Sequence, residues 1–397
     1  MGTALRRVSD SERRSRIAVR HCLAPPHRKD DVGTVTWAMT ALHATEAATV
    51  HLALAARTEG LTPEAIDAEL YDVRMVVKQL AMRRTLFVFP RELLPAAWGS
   101  AAARVATSER KRIAKAIAGA GIAPDGDAWL DAAREAVLAR LAAGPATTTQ
   151  LRAEVPELAG MIGGDTDKTW DRPVPVAPWV LTHLGLEGKV LRGRNAGHWR
   201  LNKPTWTTAE DWLGVVPEPL GEADGYAALV RSWLTTFGPG TAADIQWWLG
   251  STKTAVTRAL ADVDAVQVAL DDGSVGWLLP EDAEDAGPVE PWAALLPTLD
   301  PTVMGWKQRG FYLDPAHVPY LFDTNGNAGT TAWWDGRVVG CWVQDDEGVV
   351  RLSLLEDVEP AGRDALEREA RRLTDWLDGT VVGHVYASQQ MKLARLP

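Results

Sequence analysis

Two side chains that can act on a water molecule, His43 and Thr45, stand two residues apart just before a predicted helix from Glu46 to Glu59. An imidazole, with an unperturbed pKa of about 6.5, can accept a proton from water near neutral pH, and a hydroxyl can orient the same water. His51 lies roughly two turns further along, at about 3.6 residues per turn, and could support this pair or be purely structural. No carboxylate is placed by spacing to complete a nucleophilic triad. The pair therefore predicts activation or orientation of water.

Both residues also have a purely structural interpretation. Thr45 is well suited to cap the helix that begins at Glu46, and His43 could pack against the preceding helix with one nitrogen satisfied. The sequence leaves the two interpretations open. Catalysis requires the imidazole of His43 to open onto the floor of a positively lined concave surface, and burial of the ring in an apolar interior would contradict it.

Basic residues beside predicted hairpins are candidates for contacts with phosphate. Arg83 and Arg84 precede the apolar run Thr85–Phe89, which is rich in β-forming residues, ends at Pro90 and predicts a strand. A second group surrounds a later predicted hairpin and comprises Lys189, Arg192, Arg194 and Arg200. Side chains at such positions commonly contact phosphates. Alternatively, they could pair with carboxylates and only hold the hairpins in place.

The elements around these residues repeat along the chain. The clearest copy is the third, in which Tyr226–Phe237, Thr241–Leu249 and Ser251–Leu260 are predicted helices and Ala265–Leu270 and Val275–Leu279 are predicted strands. A helix, a helix–turn–helix and a hairpin together form a winged helix. Such modules make nucleic acid the leading candidate partner.

Two earlier segments follow the same plan less regularly. In the second, the predicted helices are Trp129–Ala142, Thr147–Leu158 and Pro178–Glu187, the last being the candidate DNA-reading helix, and the wing strands are Lys189–Leu191 and Gly197–Leu201. In the first, the predicted helices are Ser9–Cys22, Asp31–Ala41, Glu46–Glu59 and Thr62–Leu70. Capping residues such as Thr62, followed by Pro63, support these assignments.

After Pro288 the pattern changes to short β-like runs separated by turn residues. These runs are Trp292–Leu299, Val303–Gly305, Thr330–Trp334, Arg337–Gln344 and Val349–Leu355, followed by a helix, Arg363–Leu377, and a final strand, Thr380–Tyr386. Evenly spaced short strands indicate a small barrel or curved sheet. The chain is therefore predicted to be α+β, mainly α, with tandem winged-helix modules followed by a small C-terminal β-barrel. The predicted boundaries are 1–120 for the first module, which holds the candidate active site, 121–219 for the second, 220–287 for the third and 288–397 for the C-terminal segment.

Composition limits the possible functions. The chain has 397 residues, 46% of them hydrophobic, which allows several sizeable cores. Its formal net charge of −10 argues against non-specific coating of DNA, because phosphate neutralisation supplies most of that affinity. Basic residues nevertheless cluster in Arg6–Arg20, Arg104–Lys115 and Lys189–Lys203. These clusters could form a basic face on an acidic protein or could equally be solvated helix faces.

Several classes of ligand and location are not indicated. Cys22 and Cys341 have neither disulfide-framework nor zinc-ligand spacing, and no phosphate-binding loop, dinucleotide fingerprint or metal-ligand cluster is present. We therefore expect no metal and no cofactor. The sequence has no apolar run of about 18 residues and no apolar stretch after its basic N-terminus. We expect a cytoplasmic, nucleoid-associated protein with no membrane partner.

Tryptophan is unusually frequent, with eighteen residues against five phenylalanines. Trp247–Trp248 and Trp333–Trp334 are adjacent pairs, and one member of each is expected to face the core. The other could stack on a base or wedge into a groove, although core packing accounts for most large aromatic side chains.

The order of the modules and four strings resemble the AlkZ-like winged-helix DNA glycosylases, a bacterial superfamily related to the YcaQ-type crosslink glycosylases. The strings are Ala41–Ala44 with the helix after it, Met82–Pro90 (MRRTLFVFP), Leu295–Gly305 (LLPTLDPTVMG) and Asp335–Trp342 (DGRVVGCW). The second string has the family form Arg-Gly-Thr before an apolar strand. The last two are specific in combination, and the four are spread over nearly the whole chain.

The resemblance implies a site as well as a fold. The family's catalytic motif is Gln-x-Gln, or Gln-x-Asp in the YcaQ-like branch, and its positions here hold His43–Ala44–Thr45. It thus implies that His43 and Thr45 are the catalytic residues. Because both side chains are replaced, the substitution fits different chemistry, a different lesion or lost catalysis.

The function implied is that of a monofunctional DNA glycosylase. It would hydrolyse the N-glycosidic bond of alkylated or bulky-adduct purines, in base excision repair or in self-resistance to alkylating agents. The expected partner is damaged double-stranded DNA, bound by a monomer. Two alternatives remain, a non-catalytic DNA-binding regulator or lesion sensor and a scaffold whose winged helices bind other proteins.

Overall fold

The first module contains a three-stranded antiparallel sheet that carries the candidate residues. The structure, a computed structural model, describes residues 5–163 and 172–394, and about 49% of the chain is helical. The elements of this module are β1 (Arg7–Val8), α1 (Asp10–Arg20), α2 (Val32–Ala38), β2 (Leu42–His43), α3 (Ala47–Arg57), α4 (Pro63–Ala68), β3 (Val76–Leu80), β4 (Leu86–Pro90), α5 (Leu94–Ala97) and α6 (Ala103–Gly119). The sheet has the order β2–β4–β3. A mixed fold with more helix than strand, as the sequence predicts, is confirmed.

The strands β3 and β4 form what we call the central hairpin. Leu80 pairs with Leu86 and Gln79 with Phe87, and on the other edge of β4 His43 lies opposite Phe87. The sequence predicts β4 but not β3. Four of the five residues of β3 are buried, so this strand lacks the alternation that marks a half-exposed strand.

The second module combines helices with a three-stranded sheet of order β5–β9–β8. Its elements are α7 (Gly126–Leu141), β5 (Ala146–Thr147), α8 (Thr148–Glu154), β6 (Met161–Ile162), β7 (Val174–Pro175), α9 (Ala177–Leu186), β8 (Val190–Asn195), β9 (Pro204–Thr208) and α10 (Ala209–Leu213). The helices lie within a few residues of their predicted positions, because local capping signals such as Thr147 with Gln150 define their starts.

The hairpin of the second module is longer than predicted. The predicted strand Gly197–Leu201 is wrong, because these residues form a loop, and Arg192 and Arg194 lie within β8 rather than at the tip. Asn195 closes the loop, since its side-chain Nδ2 donates to the carbonyl of Leu201 at 2.7 Å. Because this hydrogen bond joins two residues of the same loop, the loop is closed locally, and the return strand of the hairpin is the later strand β9.

The third module matches the sequence prediction most closely. Its elements are α11 (Glu222–Phe237), α12 (Ala242–Leu249), α13 (Lys253–Asp262), β10 (Val266–Leu270) and β11 (Val275–Leu278). Thr241 forms a capping box with Asp244 at the start of α12, and Gly250, with φ +61°, ends it. One feature is not local, since β1 from the first module pairs in parallel with β10.

The C-terminal segment is built on a four-stranded antiparallel sheet. Its elements are β12 (Ala293–Leu296), α14 (Pro301–Met304), α15 (Val318–Leu321), β13 (Thr331–Trp334), β14 (Arg337–Gln344), β15 (Val350–Leu354), α16 (Pro360–Leu377) and α17 (Gln389–Ala394). The strands pair only with their chain neighbours, in the order β12–β13–β14–β15, so within the described residues the sheet is open and the predicted barrel does not close. Packing of α16 against this sheet covers apolar side chains that closure of a barrel would otherwise bury.

Two predicted strands of this segment are wrong. Val303–Gly305 lies in and just after the short helix α14, because Asp300 caps that helix and Pro301 occupies its first position. Thr380–Tyr386 forms no strand. Its backbone is used elsewhere, since the amide of Val382 donates to the side chain of Gln344 at 2.9 Å.

Helix α3, which follows the candidate residues, is clamped by the string Leu295–Gly305. Near its start, the carboxylate of Glu46 accepts a hydrogen bond from the hydroxyl of Thr298. At its end, Arg57 donates two hydrogen bonds of 2.8 and 2.7 Å to Asp300, and both side chains are fully buried. Two of the four strings that carry the resemblance therefore form one packed unit behind the candidate site.

Candidate active site and nucleic-acid interface

The turn of the central hairpin contains two consecutive arginines with a left-handed backbone. Arg83 has φ +54° and Arg84 φ +61°, a conformation that costs a residue other than glycine roughly 1–2 kcal/mol. The family form Arg-Gly-Thr has glycine at the position of Arg84, and this φ explains why glycine suits it. The chain thus accepts backbone strain to place two guanidinium groups here, and such strain is concentrated at functional sites.

Arg84 extends to one side of the hairpin, into a hollow between the first and second modules. The hollow has a volume of about 300 Å³, at the lower end of the range of small-ligand pockets. It is lined by Thr45, Leu80, Arg84, Leu86, Glu109, Arg112, Pro178, Trp179, Thr182, Arg192 and Asn202. We call it the Arg84 hollow. Three arginines against one glutamate give it a net positive charge.

Most of the charge in the Arg84 hollow is already paired. Glu109, which is 7% exposed, accepts hydrogen bonds from Arg112 at 2.7 Å and from Arg84 at 3.2 Å. Burial alone would raise the pKa of Glu109, but the hydrogen bonds and charges of these two arginines hold it below its ordinary value. Arg112 also lies over the ring of Trp179, 4.0 Å from its centroid. Because two arginines share one carboxylate, this group keeps a net positive charge, and Arg192 adds a further charge without a carboxylate partner among the described residues.

Arg192 has no carboxylate partner among the residues that the structure describes. Its guanidinium carbon lies 4.3 Å from the centroid of Trp206, and its Nε has no hydrogen-bond acceptor. Burial lowers the pKa of Arg192 to about 10, so the group is still charged at neutral pH. A phosphate oxygen entering the hollow would supply the missing acceptor.

Thr45 lines the same hollow and does not cap α3. The N-cap of that helix is Glu46, without a side-chain cap hydrogen bond, and the Thr45 hydroxyl is buried with no hydrogen-bond partner among the described residues. The carboxylate of Glu46 accepts instead from the amide of Val385 at 2.8 Å, and burial raises its pKa. The capping interpretation of Thr45 is therefore wrong, and the residue lines the hollow with a buried hydroxyl that no described group satisfies.

His43 faces away from the hollow that Thr45 lines. Leu80 and Leu86 line that hollow, and side chains alternate along a strand, so Phe87 and its partner His43 lie on the opposite face of the sheet. The imidazole is 8% exposed, and its centroid is 5.1 Å from that of Phe87. The expectation that the imidazole opens onto the floor of a hollow is therefore wrong, because strand register places the ring on the other face.

The surroundings of His43 keep its imidazole neutral. Burial, together with the charge of Arg83, lowers the pKa of His43 to about 3, and its Nδ1 is buried without a partner. An imidazole with such a low pKa is a very weak base at neutral pH. His43 is therefore a neutral group in this structure and is poorly suited to act as a proton acceptor near neutral pH.

Arg83 extends to the opposite side of the hairpin from Arg84, toward the third module. It is exposed, and its guanidinium carbon lies 4.6 Å from the ring centroid of Trp247. Trp248 is the inward member of this tryptophan pair, with 5% exposure, and Trp247 is half-buried. The two arginines of the turn therefore serve two different faces of the sheet.

The remaining candidate DNA contacts are scattered. Arg194 is paired with Asp72, and Arg200 donates to the carbonyl of Val381 at 3.0 Å. Lys189 is exposed and borders a different hollow. Of the six candidate cations, two line the same hollow as Thr45.

Sequence reasoning missed Glu109, Arg112 and Trp179 as parts of the site. Arg112 belongs to a basic cluster that the sequence shows, but nothing in the sequence places its helix against the central hairpin. His51 is structural, because its Nε2 lies 3.0 Å from a carboxylate oxygen of Asp67, away from the hollow.

The chain has the fold of a solved DNA glycosylase. The structure of Streptomyces sahachiroi DNA glycosylase AlkZ matches it with a TM-score of 0.74, over 95% of this chain and 98% of that chain, at 20% sequence identity. The family model of AlkZ-like DNA glycosylases matches residues 37–376. The chain therefore belongs to the AlkZ-like DNA glycosylase family, and the predicted membership is confirmed. No curated protein matches it.

Three further findings concern ligands and surroundings. None of the described helices is both long and apolar enough to cross a membrane. In the described ranges, no three side chains of His, Cys, Asp or Glu converge as metal ligands would. Cys22 and Cys341 are buried and unpaired.

Proposed function

We propose that this protein is a monofunctional DNA glycosylase that hydrolyses the N-glycosidic bond of alkylated or bulky-adduct purines. Family membership and fold support the reaction class. One observation carries the site, namely that the hydroxyl of Thr45 is buried and unpartnered on the wall of a hollow made positive by arginines. The proposed role is base excision repair or self-resistance to alkylating agents, in the cytoplasm at the nucleoid.

We interpret the first three modules as tandem winged helices that bind damaged double-stranded DNA as a monomer. In the second module α7, α8 and α9 precede the β8–β9 hairpin, and in the third α11, α12 and α13 precede β10–β11. Helix α9 borders the Arg84 hollow through Pro178, Trp179 and Thr182. A duplex that contacts α9 therefore passes over the hollow.

Phosphate contacts are proposed for all six candidate cations, in two groups. Arg83, Arg192 and Lys189 are placed to meet the backbone directly. Arg84, Arg194 and Arg200 can do so only after they release Glu109, Asp72 and the carbonyl of Val381. Such exchange costs affinity, so their contributions are expected to be smaller.

The target nucleotide would leave the duplex to reach Thr45. Enzymes that act on a base inside a duplex extrude it into a pocket and stack it on aromatic or apolar side chains. Trp179, covered on one face by Arg112, offers such a wall. A purine alkylated at N7 or N3 carries positive charge, and the phosphate of its own nucleotide would offset Arg192.

In the proposed reaction, the bond between C1′ and the purine nitrogen breaks and its electron pair stays with the base, which becomes neutral. The water oxygen then bonds to C1′, and its proton passes to solvent. Thr45 orients this water through its hydroxyl. His43 lies on the other face of the sheet, so its proposed part is indirect, as a neutral group behind the motif, and its pKa of about 3 makes it a very weak base near pH 7.

The test is base release from a duplex that contains N7-methylguanine. We expect Thr45→Ala to reduce the single-turnover rate about 10- to 100-fold, the usual worth of one hydrogen bond to a charged or reacting centre. Thr182→Ala, the same change elsewhere on the wall of the hollow, is the matched control and should stay within about threefold. Loss of release with DNA binding intact supports the proposal. Equal effects of the two variants contradict it.

A second candidate is a non-catalytic DNA-binding regulator or lesion sensor. The covered imidazole of His43 and the replaced Gln-x-Gln motif favour it. The unaltered protein would then bind lesion-containing duplexes but release no base from several different lesions. Release from any one of them rejects this candidate.

A further inference from the structure

Two guanidinium groups share the indole of Trp247 on the third-module face of the central hairpin. The guanidinium carbon of Arg83 lies 4.6 Å from the ring centroid and that of Arg309 lies 5.2 Å from it. Arg309 also lies over Phe322, at 4.7 Å. Each cation gains from its contact with the aromatic face, but two like charges around one ring repel each other. The arrangement therefore favours binding of an anion.

Nothing in the described part of the chain supplies that anion. Neither Arg83 nor Arg309 has a carboxylate within ion-pair distance there. The Nε of Arg309 donates to the carbonyl of Val303 at 3.1 Å, but its Nη2 is buried without an acceptor. A buried donor left unsatisfied costs about 1–3 kcal/mol, and more when it is charged. An oxyanion bound at this position would remove that cost.

The direction of Arg83 is set by the local backbone. A β-carbon on Gly250 would lie 2.8 Å from the Cγ of Arg83, so the arginine stem passes directly over the end of α12. Gly250 has φ +61°, and Arg83 itself has φ +54°. Gly250 ends α12 in this conformation, and the absence of its side chain leaves room for the stem of Arg83, which fixes the direction of the guanidinium.

We propose that Arg83, Trp247 and Arg309 bind a phosphodiester of the damaged strand, next to the target nucleotide. Guanidinium groups bind phosphate through paired hydrogen bonds, and the accessible part of a half-buried indole can stack on a neighbouring base. The site adjoins His43, which lies within reach of the charge of Arg83. This proposal rests on the proposed function, because it takes the anion to be the backbone of a DNA substrate.

The experiment measures DNA binding by fluorescence anisotropy across a salt series. The probe is a duplex with a tetrahydrofuran abasic-site analogue, and in further duplexes one neutral methylphosphonate replaces the phosphate on either side of it. The variant is Arg309→Met, which keeps the apolar stem. The matched control is Arg371→Met on α16, an exposed arginine of the C-terminal segment that pairs with Glu367 at 3.9 Å and lies outside the proposed DNA-binding modules. Arg309→Lys keeps the charge, and circular dichroism confirms folding of every variant.

We expect Arg309→Met to weaken binding about tenfold and to lower the slope of log affinity against log salt by about one, as loss of one phosphate contact does. One of the two methylphosphonates should weaken binding by the wild type about as much and should not weaken Arg309→Met further. Arg309→Lys should fall between the two, and Arg371→Met should match the wild type.

Two outcomes overturn the inference. One is a salt slope of Arg309→Met equal to that of the wild type. The other is that, at both positions, the methylphosphonate weakens binding by Arg309→Met as much as it weakens binding by the wild type. Base release from the N7-methylguanine duplex is measured in parallel, so the two proposals can fail separately. If the protein releases the base but the salt slope of Arg309→Met equals that of the wild type, only the phosphate site is rejected. If the slope changes but no base is released, only the glycosylase proposal is rejected.

Discussion

The two faces of the central hairpin use their arginines in opposite ways. On the face toward the second module, Arg84 and Arg112 share the carboxylate of Glu109. On the face toward the third module, Arg83 and Arg309 meet at Trp247 without a carboxylate among the described residues. Apart from Arg192, which lines the hollow of the first face without a carboxylate, the two faces therefore differ mainly in how their arginines are paired.

This difference shows why a basic cluster in a sequence does not measure the charge available to DNA. A guanidinium already bonded to a carboxylate must exchange that partner for a phosphate, and the gain is small. An unpaired guanidinium gains a partner outright. In an acidic protein with a net charge of −10, the unpaired arginines should therefore dominate the interaction with the backbone.

The candidate catalytic residues are divided in the same way. Thr45 borders the hollow on the face toward the second module. His43 lies on the face toward the third module, where the charge of Arg83 helps to lower its pKa. If both take part in catalysis, the nucleotide must engage the hairpin from its two sides. The predictions below test this division.

The largest expected effect concerns the neutral imidazole. His43→Ala should lower the rate of base release about 100-fold, whereas His43→Gln should stay within about tenfold, because an amide can make the same kind of hydrogen bond. Since the pKa of His43 is about 3, the wild-type rate should show no inflection near pH 6.5 between pH 5 and 8. Single-turnover rates across this range check both points. An inflection near pH 6.5 that disappears in His43→Gln would show that the imidazole acts as a base.

The same pKa has a consequence for stability. The folded-state pKa of His43 lies below the unfolded value of about 6.5, so protons bind preferentially to the unfolded chain between pH 6.5 and 3. The wild type should therefore lose stability relative to His43→Gln as the pH falls through this window, and the two should run parallel above pH 7. Urea unfolding at several pH values measures the difference.

The next effect compares the two arginines of the turn directly. Asparagine tolerates a left-handed backbone, so Arg83→Asn and Arg84→Asn disturb the turn equally. We expect Arg83→Asn to weaken DNA binding about tenfold and Arg84→Asn about twofold, because only the first removes an unpaired charge. Anisotropy titrations at one salt concentration give the ratio. Equal losses would mean that pairing with Glu109 does not matter.

A smaller effect on DNA affinity is expected when the carboxylate that Arg84 and Arg112 share is removed. Glu109→Gln keeps the shape of the side chain but frees Arg84 and Arg112, so DNA affinity should rise about threefold to fivefold and the salt slope should steepen by up to about one. The pKa of Glu109 is held low by its arginines, so any stability lost in this variant should be visible above about pH 5 and should vanish as the pH falls through the lowered pKa. Unchanged affinity would show that these arginines do not reach DNA.

The smallest effect is on the strained turn itself. Arg84→Gly relieves the φ of +61° and should stabilise the fold by about 1 kcal/mol, less whatever the pair between exposed Arg84 and buried Glu109 contributes. Arg84→Ala, which keeps the strain and removes the same charge, is the control. If urea unfolding gives the two variants the same free energy of unfolding, the backbone of residue 84 is not strained.

Much of the fold follows from local signals in the sequence. The caps at Thr147 and Thr241 and the glycine at 250 define helices of the second and third modules within a few residues. The prediction of strands failed mainly where contacts between residues far apart in the chain determine the structure. The strand β3 has no alternation because both of its faces are covered. The loop after β8 is a local exception, because the side chain of Asn195 closes it onto the carbonyl of Leu201.

The candidate site was only partly predictable. The sequence marks Thr45, His43 and the two arginines of the turn, and family resemblance supplies their grouping. It does not reveal Glu109, Arg112 or Arg309, because the contacts that bring them to the hairpin join residues far apart in the chain.

The sequence by itself determined the order of the elements, the family and the residue types at the motif, since propensity, capping and string identity are local properties. Only the tertiary structure decided that His43 is covered and neutral while Thr45 lines a hollow, and that Arg84 is paired while Arg83 is not. The physical reason is that strand register selects the face of each side chain. Packing between distant segments then decides which charges find partners. Neither the register nor this packing can be derived from a single segment of the sequence.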